Sequence, residues 1–517
     1  MCFRGQDFRE MPRPLLCDTV TGSTLAELRA ARDAAARPGG AGPAGSGAGS
    51  GADGSGADGS GADMVELRLD GVADLDVAGA LAGRTTPVVV TCRPTWEGGR
   101  FDGAEETRRR ILAEALALGA EFVDVEWRAG WDDLIASTGG RRIVVSNHDF
   151  AGVPGDLADR HRAMRATGAE VVKLAAAVTR VSDTLAFRPL AADGASIVIG
   201  MGPAGVATRL LAAHFGSRWT YAGDGVAPGQ IPAAEMISRF RFKEISAQTA
   251  VYGVVGKPIL HSLSPAMHNA AFRAAGMDAV YVPVEADDAE DFLTFAAGLP
   301  MAGASVTIPF KRDVMVKAAA VDADARAVGA VNTVRRSGTG WDATNTDLAG
   351  FLAPLERRAA RGGWHLRGSR IAVLGAGGAA RAVVRSAAGV GAQVTVHARR
   401  REQAQAVADG RGASVGTWPP PAGSWDVLVN CTPLGNLHTA GESPLPDGPF
   451  GGRLVYDLIY VPRETRLLRE ARAAGCDTLD GLPMLVTQAE RQFEWWTGRR
   501  PAPGVMGQAA GLMDEDA

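Results

Sequence analysis

The sequence has few of the features that mark a secreted, metal-binding or membrane protein. It contains only five cysteines in 517 residues, and no two of them form a Cys-x-x-Cys pair. This pattern supports neither a disulfide framework nor a zinc site, so we expect no metal and a reducing compartment. No hydrophobic run approaches the roughly 18 residues of a membrane span, and the first residues lack the apolar core of a signal peptide. We therefore expect a soluble, cytoplasmic protein.

The chain also lacks a strong excess of either charge. Its formal net charge is −4, which gives no reason to expect nucleic acid or an anionic membrane as a partner. Hydrophobic residues make up 46% and charged residues 22%, the balance of an ordinary globular protein. The length predicts two domains of about 200 to 250 residues each.

Residues 14–245 show eight alternations of a short apolar strand and an amphipathic helix. The predicted strands are 15–18, 64–69, 87–92, 122–126, 142–146, 171–174, 196–201 and 219–221. Eight such units in about 230 residues indicate a closed (β/α)8 TIM barrel.

Residues 38–63 interrupt this alternation with Gly, Ala, Ser, Pro and Asp, in which Gly-Ser-Gly-Ala-Asp recurs. Such a segment cannot bury enough surface to offset its ordering entropy, so we expect a disordered insertion. It follows the first helix and precedes the second strand, which places it on the barrel face opposite the active site. A calcium-binding repeat is the alternative, but its glycine-aspartate nonapeptide pattern is absent.

Residues 240–250 have little periodicity and mark a domain boundary. We expect a second, two-lobed α/β domain over 250–510. Its parts are a substrate lobe (250–350), a Rossmann-type nucleotide lobe (365–480) and a C-terminal helical return (481–510).

A glycine-rich turn follows the apolar strand 371–374. Gly375, Gly377 and Gly378 permit a tight turn into a helix whose first N–H groups can face a pyrophosphate. This predicts a dinucleotide site, although glycine also serves strand-to-helix turns in many other folds.

The next predicted strand ends in Ala398-Arg399-Arg400-Arg401, about 20 residues beyond the loop. Guanidinium groups at this point suit the 2′-phosphate of NADP, whereas an acidic residue would suit NAD. We therefore predict NADP(H). The alternative is a solvated basic run that opens a helix.

Polar side chains recur at the carboxyl ends of the predicted barrel strands, where barrel enzymes place their chemistry. The set is Glu66, Arg68, Arg93, Glu97, His148, Lys173, Arg209 and Gln230. Desolvation and nearby arginines favour the neutral amine of a lysine inside an apolar strand, and that amine can attack a ketone to form a Schiff base. His148 could then move protons at the neighbouring carbon. Each residue alone fits a surface or satisfied polar group, but together they indicate imine chemistry on an anionic keto compound.

Five motifs of this half occur in the order of a known family. They are Met-Val-Glu-Leu-Arg-Leu-Asp (64–70), Cys-Arg-Pro-Thr-Trp-Glu-Gly-Gly (92–99), Ser-Asn-His-Asp-Phe (146–150), Val-Lys-Leu-Ala (172–175) and Ala-Pro-Gly-Gln (227–230). The region 14–245 thus resembles the type I 3-dehydroquinate dehydratases. The resemblance implies that Lys173 forms the Schiff base with 3-dehydroquinate and that His148 is the general acid/base. It also implies that five side chains hold the substrate: Glu66, Arg68, Arg93, Arg209 and Gln230. The family usually has serine where this chain has Val226, and valine cannot donate a hydrogen bond.

Polar groups in the second half suit a carboxylate substrate and a proton transfer. Ser262, Ser264 and Thr307 can donate to a carboxylate, and Lys311 with Asp347 would supply an acid/base and a group to orient it. Either of the last two alone also fits a surface lysine or a helix-capping aspartate.

The second half likewise resembles a known family, the shikimate dehydrogenases, over residues 250 to about 505. The motifs are 261–269 (His-Ser-Leu-Ser-Pro-Ala-Met-His-Asn), 306–311 (Val-Thr-Ile-Pro-Phe-Lys), 329–333 (Gly-Ala-Val-Asn-Thr), 345–347 (Asn-Thr-Asp), 375–379 (Gly-Ala-Gly-Gly-Ala), 430–435 (Asn-Cys-Thr-Pro-Leu-Gly), 457–465 and 481–489. The resemblance implies that Lys311 is the acid/base beside the carbonyl and that Asp347 binds both substrate and lysine.

The same resemblance implies the remaining contacts. Asn332, Tyr460 and Gln488 would complete the substrate pocket. The cofactor would contact Gly375, Ala376, Gly377, Gly378, Ala379, Arg399, Arg400, Thr432 and Gly481. The chain departs from the family at Ser305, which replaces an asparagine, and at Ala398-Arg399-Arg400, which replaces Asn-Arg-Thr.

The two resemblances imply consecutive steps of the shikimate pathway. We therefore expect a bifunctional enzyme that dehydrates 3-dehydroquinate to 3-dehydroshikimate and reduces it with NADPH to shikimate. These small molecules are the expected partners. One alternative is an oxidative, NAD-dependent quinate or shikimate dehydrogenase, and another is a catalytically inactive regulator of quinate metabolism on the same folds.

Overall fold

A computed structural model describes residues 13–37 and 60–512. Most of the predicted insertion, residues 38–59, lies outside this range. The last residues of that segment lie within it: Ser60 Oγ donates to the carbonyl of Ala35 at 2.8 Å, and Asp63 Oδ2 accepts the Leu16 N–H at 2.9 Å. No helix in the described ranges is long and apolar enough to cross a membrane.

Eight parallel strands form the first sheet. They are β1 (Leu15–Val20), β2 (Met64–Arg68), β3 (Val88–Thr91), β4 (Phe122–Glu126), β5 (Ile143–Asp149), β6 (Val171–Ala177), β7 (Ser196–Met201) and β8 (Trp219–Ala222). Hydrogen-bonded ladders join them in the order β7-β6-β5-β4-β3-β2-β1-β8. A 2.9 Å backbone hydrogen bond from Arg218 to Ser196 links the beginnings of β8 and β7. The predicted TIM barrel is confirmed, with every predicted strand in place.

Short helices connect the barrel strands. They are α1 (Leu25–Ala35), α2 (Val77–Leu81), α3 (Glu105–Ala117), α4 (Asp132–Ser137), α5 (Leu157–Ala166), α6 (Val206–Leu210), α7 (Ala212–Phe215) and α8 (Ala233–Ser238). A 3₁₀ helix, Val181–Ala191, follows β6.

Alternation along each strand decides which side chains enter the barrel. On β6, Val171 and Ala175 belong to the interior core cluster, so Lys173, which lies between them with the same parity, also faces inward. On β4, Phe122 belongs to the same cluster, so Asp124 and Glu126 face inward as well. The barrel therefore directs charged groups toward its mouth above an apolar floor.

The second half alternates strands and helices. Its strands are β9 (Ala250–Gly256), β10 (Ala279–Glu285), β11 (Gly303–Val306), β12 (Ala320–Val321), β13 (Thr333–Ser337), β14 (Gly340–Thr344), β15 (Arg370–Leu374), β16 (Gln393–His397), β17 (Ala413–Val415), β18 (Val427–Asn430), β19 (Leu454–Asp457) and β20 (Asp477–Leu479). Its helices are α9 (Ser264–Ala274), α10 (Ala289–Gly298), α11 (Lys311–Lys317), α12 (Ala323–Val328), α13 (Asp347–Arg361), α14 (Gly378–Gly389), α15 (Arg401–Ala408), α16 (Arg466–Ala473), α17 (Leu482–Thr497) and α18 (Val505–Ala509).

The described residues form two compact units. The first contains the barrel together with residues up to 262 and 278–301, and so includes the parallel pair β9 and β10 and helix α10. Buried Asp291 on α10 accepts the backbone N–H groups of Val181 and Ser182, at 3.1 and 2.9 Å. The second unit contains residues 263–277 and those from 302 onward.

The nucleotide lobe lies in the second unit and is a parallel sheet in the order β17-β16-β15-β18-β19-β20. Apolar clusters cover both faces of this sheet. The strand order reverses between β15 and β18, and ligands of such sheets bind in the crevice at that point. This confirms the predicted Rossmann-type lobe.

Candidate active sites

A cavity of about 110 Å³ opens at the carboxyl ends of the barrel strands. It brings together all eight barrel residues that we predicted at the strand ends, namely Glu66, Arg68, Arg93, Glu97, His148, Lys173, Arg209 and Gln230. Thr19, Phe150 and Tyr221 also line it.

Lys173 is buried in the barrel wall, with 5% of its surface exposed. Its Nζ lies 3.3 Å from Asp124 Oδ2, 3.9 Å from Glu66 Oε1 and 4.0 Å from the centre of the Tyr221 ring. Both carboxylates and the ring face restrict where the amine can lie. The amine is therefore held at one point of the cavity wall.

Arg93 binds the carboxylates on the neighbouring strand. Its guanidinium contacts Asp124 at 3.0 Å and Glu126 at 2.7 Å, and donates to Ser146 Oγ at 2.7 Å. Burial alone would lower the pKa of Arg93, but Asp124 and Glu126 raise it above its ordinary value. Burial alone would raise the pKa of Asp124, but Arg93 and then Lys173 lower it. Asp124 therefore stays ionised beside Lys173.

His148 is positioned by Glu97. Oε1 of Glu97 accepts the backbone N–H of His148 at 2.9 Å and lies 3.0 Å from its Nδ1. Burial lowers the pKa of His148 well below its ordinary value, and Arg93 and Lys173 lower it further. The imidazole is therefore neutral, and a proton on Nδ1 directed at Glu97 leaves Nε2 able to accept a proton. Burial also raises the pKa of Glu97 to about 7.

Arg209 is a buried cation held by carbonyl groups. Its Nη1 donates to Tyr221 O at 3.1 Å and its Nη2 to Pro228 O at 3.5 Å, whereas its Nε has no partner among the described residues. Burial lowers the pKa of Arg209 to about 10. A substrate carboxylate would provide the counter-charge that this guanidinium lacks.

The other predicted barrel residues are anchored by neighbours at the cavity edge. Glu66 accepts the hydroxyls of Thr19 and Thr91 at 2.9 and 2.7 Å. Arg68 forms a bidentate pair with Asp70, both contacts being 2.9 Å. Gln230 donates to Thr19 Oγ1 at 3.2 Å, which connects the loop after β8 to β1.

In the second unit, Lys311 and Asp347 form an ion pair. Lys311 begins α11 and Asp347 begins α13. Asn332 Nδ2 donates to Asp347 Oδ1 at 2.7 Å and to Gln488 Oε1 at 3.3 Å. The structure thus brings these four predicted residues together, with the carboxylate fixed by an amide.

The four remaining predicted substrate residues lie elsewhere along the chain. Ser262, in the first unit, and Ser264, which begins α9 in the second, are both buried. Thr307 is half-buried in the turn that leads to α11, where its carbonyl accepts the Phe310 N–H at 2.9 Å. Burial raises the pKa of Tyr460, so its hydroxyl remains a donor.

The glycine loop lies between β15 and α14. Gly375 has φ 106°, and a Cβ atom there would lie 3.1 Å from the Thr432 side chain, so the turn requires glycine. At Gly377 a Cβ would meet no atom within 4 Å, and at Gly378 it would lie 3.5 Å from Lys311 Cδ. Packing therefore does not explain Gly377. This loop adjoins Lys311.

Arg399 and Arg400 follow β16, whose end pairs with the end of β15 through His397 and Leu374. Both arginines are exposed, and their side chains form no ion pair or hydrogen bond within the described part of the chain. They are available for an anion at the same edge as the glycine loop. Packing alone requires glycine at position 481, because a Cβ atom at Gly481 would lie 2.2 Å from the carbonyl oxygen of Leu458.

Comparisons with known proteins match both halves. Residues 53–247 match the family model of type I 3-dehydroquinase, residues 254–334 the shikimate dehydrogenase substrate binding domain, and residues 481–510 the shikimate 5′-dehydrogenase C-terminal domain. A bifunctional 3-dehydroquinate dehydratase/shikimate dehydrogenase of Arabidopsis thaliana is 34% identical over 85% of this chain and 78% of its own length. The chain belongs to the family of bifunctional 3-dehydroquinate dehydratase/shikimate dehydrogenases.

Further relatives of this bifunctional enzyme match its second half. A shikimate dehydrogenase (NADP(+)) of Thermosynechococcus vestitus is 41% identical over 50% of this chain and 94% of its own length. The crystal structure of shikimate dehydrogenase from Aquifex aeolicus matches with a TM-score of 0.48 and 34% identity, over 51% of this chain and 98% of that chain.

Two positions at which this bifunctional enzyme departs from the two resembled families have defined surroundings. Val226 lines the barrel cavity, and the next residue, Ala227, donates its N–H to Gln230 Oε1 at 2.8 Å. Ser305 donates its hydroxyl to Gln492 Oε1 at 2.7 Å, and Gln492 in turn donates to the carbonyl of Asn332 at 3.2 Å. Ser305 is thus tied to the backbone of a predicted substrate residue.

Sequence reasoning missed Asp124 and Tyr221, which contact Lys173, and Glu126, which binds Arg93. The signal for the two acids was present. Asp124 and Glu126 are polar residues at the carboxyl end of a predicted strand, the same position that selected Glu66 and Arg68. No pattern in β8 marked Tyr221, whose role depends on packing across the barrel.

Proposed function

We propose that the barrel dehydrates 3-dehydroquinate to 3-dehydroshikimate and that the second half reduces this ketone to shikimate with NADPH. The observation that carries the proposal is the barrel-mouth cavity, where a buried lysine, a neutral histidine and an uncompensated arginine face the same space. Few reactions need an amine, a base and a carboxylate anchor together, and dehydration through an imine is one.

In the barrel, the neutral amine of Lys173 adds to the ketone carbon, and the adduct takes up one proton from solvent and loses water, which gives a protonated imine. His148 takes a proton from the carbon next to the imine and returns it to the hydroxyl group that departs as water. Water then hydrolyses the imine, which releases the product and restores the amine. Arg209 holds the substrate carboxylate, and Glu97 holds His148 in the required tautomer.

In the second half, Lys311 donates a proton to the carbonyl oxygen as the ketone is reduced, and Asp347 orients both substrate and lysine. Ser264 and Thr307 hold the carboxylate, and Asn332, Tyr460 and Gln488 hold the ring hydroxyls. Bound NADPH would supply the hydride.

The residues around the glycine loop fit NADP. The open space at Gly377 suits a pyrophosphate at the start of α14. The unpaired side chains of Arg399 and Arg400 suit a 2′-phosphate. At the neighbouring strand end, Thr432 Oγ1 donates to Asn430 Oδ1 at 2.7 Å, which fixes Thr432. The cytoplasmic location stays a prediction, because the Arabidopsis relative is named chloroplastic.

A coupled assay on the purified chain tests the proposal. Adding 3-dehydroquinate should cause NADPH consumption in an equimolar amount, with no other enzyme present. Borohydride added with 3-dehydroquinate should fix a substrate adduct on Lys173. If a folded chain shows neither, the inactive-regulator alternative is favoured, and a clear preference for NAD with quinate or shikimate would favour the oxidative dehydrogenase.

A further inference from the structure

A line of alternating charges runs from helix α3 to the amine in the barrel. Its members, in order, are Glu105, Arg108, Glu126, Arg93, Asp124 and Lys173, and each neighbouring pair is an ion pair. The Glu105–Arg108 pair at one end is separated by 2.6 Å, and the Asp124–Lys173 pair at the other end by 3.3 Å. The line begins at a half-exposed carboxylate outside the barrel and ends inside the cavity.

Arg108 is the arginine of this line that lies on a helix outside the barrel. It is completely buried, and its guanidinium lies 4.2 Å from the Trp131 ring centre and 5.8 Å from that of Trp96. It is not among the described residues that line the cavity. Arg108 therefore cannot act by touching substrate. Its contacts toward the cavity are Glu126 and, at 3.4 Å, the backbone carbonyl of Cys92 beside Arg93.

Glu126 depends on two cations. It has no exposed surface, and its two carboxylate oxygens are bound separately, Oε1 by Arg93 and Oε2 by Arg108. Burial raises the pKa of Glu126, and Arg93 and Arg108 oppose this effect. Without Arg108, the only cation left to pair with Glu126 among these contacts would be Arg93, which also pairs with Asp124. Removing one partner of a buried pair leaves an unbalanced charge in a medium of low dielectric constant.

We propose that Arg108 is a positioning residue for the dehydratase, because by neutralising Glu126 it lets Arg93 hold Asp124 against Lys173. This inference rests on the proposed dehydratase function. The inference means that helix α3, outside the barrel, helps to fix the position of the Lys173 amine through Arg108.

The test compares Arg108→Met with the double variant Arg108→Met/Glu126→Gln in the full chain. In Arg108→Met, kcat for dehydration should fall about 10- to 100-fold with little change in KM, the size that a displacement of about 1 Å produces in a catalytic group. Borohydride trapping on Lys173 should slow in parallel. The double variant should recover most of the loss, because it removes the unbalanced carboxylate together with its partner. Arg108→Lys should recover part of it.

The pH profile gives a readout that a purely structural role would not move. With Arg108 absent, Glu126 should add an ionisation to the kcat profile of Arg108→Met that the double variant lacks. The other titratable groups that act on Glu126 or respond to it are Asp124, Glu97 and Cys92, besides Arg93. None of them is changed in the double variant, so loss of the new ionisation there assigns it to Glu126.

Arg110→Met is the matched control, since Arg110 is exposed on the same helix. It should leave dehydration unchanged, and the thermal unfolding of every variant, followed by circular dichroism, reports whether the barrel is folded. Wild-type kcat in Arg108→Met, or a double variant no faster than the single one, would overturn the inference while leaving the proposed function intact. If the unaltered chain traps no substrate adduct, the proposed function itself fails.

Discussion

The two candidate active sites both contain a lysine, but they hold it in different ways. Lys173 lies in the middle of a strand, buried, with Asp124 and Glu66 within 3.9 Å and an aromatic ring beneath it. Lys311 begins a helix, is 17% exposed at its side chain, and is paired with the single carboxylate of Asp347. The difference fits the chemistry proposed for each. An amine that forms a bond with substrate must be fixed from every side, whereas an amine that passes a proton needs one orienting partner.

The largest expected effect is from removing the strand lysine. Lys173→Met should lower the rate of dehydration at least about 10⁴-fold, because no other described residue that lines the cavity has an amine to form the imine. The absorbance of the conjugated product measures this rate. Oxidation of shikimate by the same variant is the internal control and should be unchanged. A comparable loss of both activities would mean that the substitution damages the fold.

Removing the helix lysine should have the reciprocal but smaller effect. Lys311→Met should reduce ketone reduction about 10²- to 10⁴-fold, the usual range for a general acid, with dehydration intact. The measurement is NADPH oxidation with 3-dehydroshikimate. Lys317→Met, at the exposed end of the same helix, is the matched control. A reduction rate that survives Lys311→Met would assign proton transfer to another group.

The barrel site also buries an acid at a cost, which the pH dependence of stability can detect. Burial raises the pKa of Glu97 from 4.5 to about 7. The folded state therefore binds the proton more tightly than the unfolded state, and this contribution to the free energy of unfolding is complete below pH 4.5 and is lost as the pH rises through 7. Glu97→Gln never ionises. Relative to the unaltered chain it should therefore gain up to about 3 kcal/mol of unfolding free energy between pH 4.5 and 8.

Chemical unfolding at pH 5 and pH 8 measures this difference. Glu106→Gln, an exposed substitution on α3, should show the pH dependence of the unaltered chain. If Glu97→Gln behaves in the same way as this control, the buried carboxyl does not titrate near neutrality.

The sequence predicted the residues that line the barrel cavity more completely than the residues that hold them in place. Apolar runs located the strands, and residues at strand ends located the cavity, because both follow from local periodicity. Asp124 was predictable by the same rule but was not recognised. Arg108 was not predictable, because only three-dimensional packing directs that face of α3 toward Glu126. The grouping of β9, β10 and α10 with the barrel depends on long-range contacts such as that of Asp291 with Val181, which no local pattern encodes.

The smallest expected effect concerns the cofactor of the second site. Arg399→Gln should raise the KM for NADPH roughly 10- to 100-fold, since a hydrogen bond to a charged group contributes about 1.5 to 3 kcal/mol. The KM for NADH should change little, because NADH lacks the phosphate that the guanidinium would bind. Arg361→Gln, at the exposed end of α13, is the matched control. Equal changes for both cofactors would mean that Arg399 acts on the fold of the loop, and Arg400 would then be the residue that selects NADP.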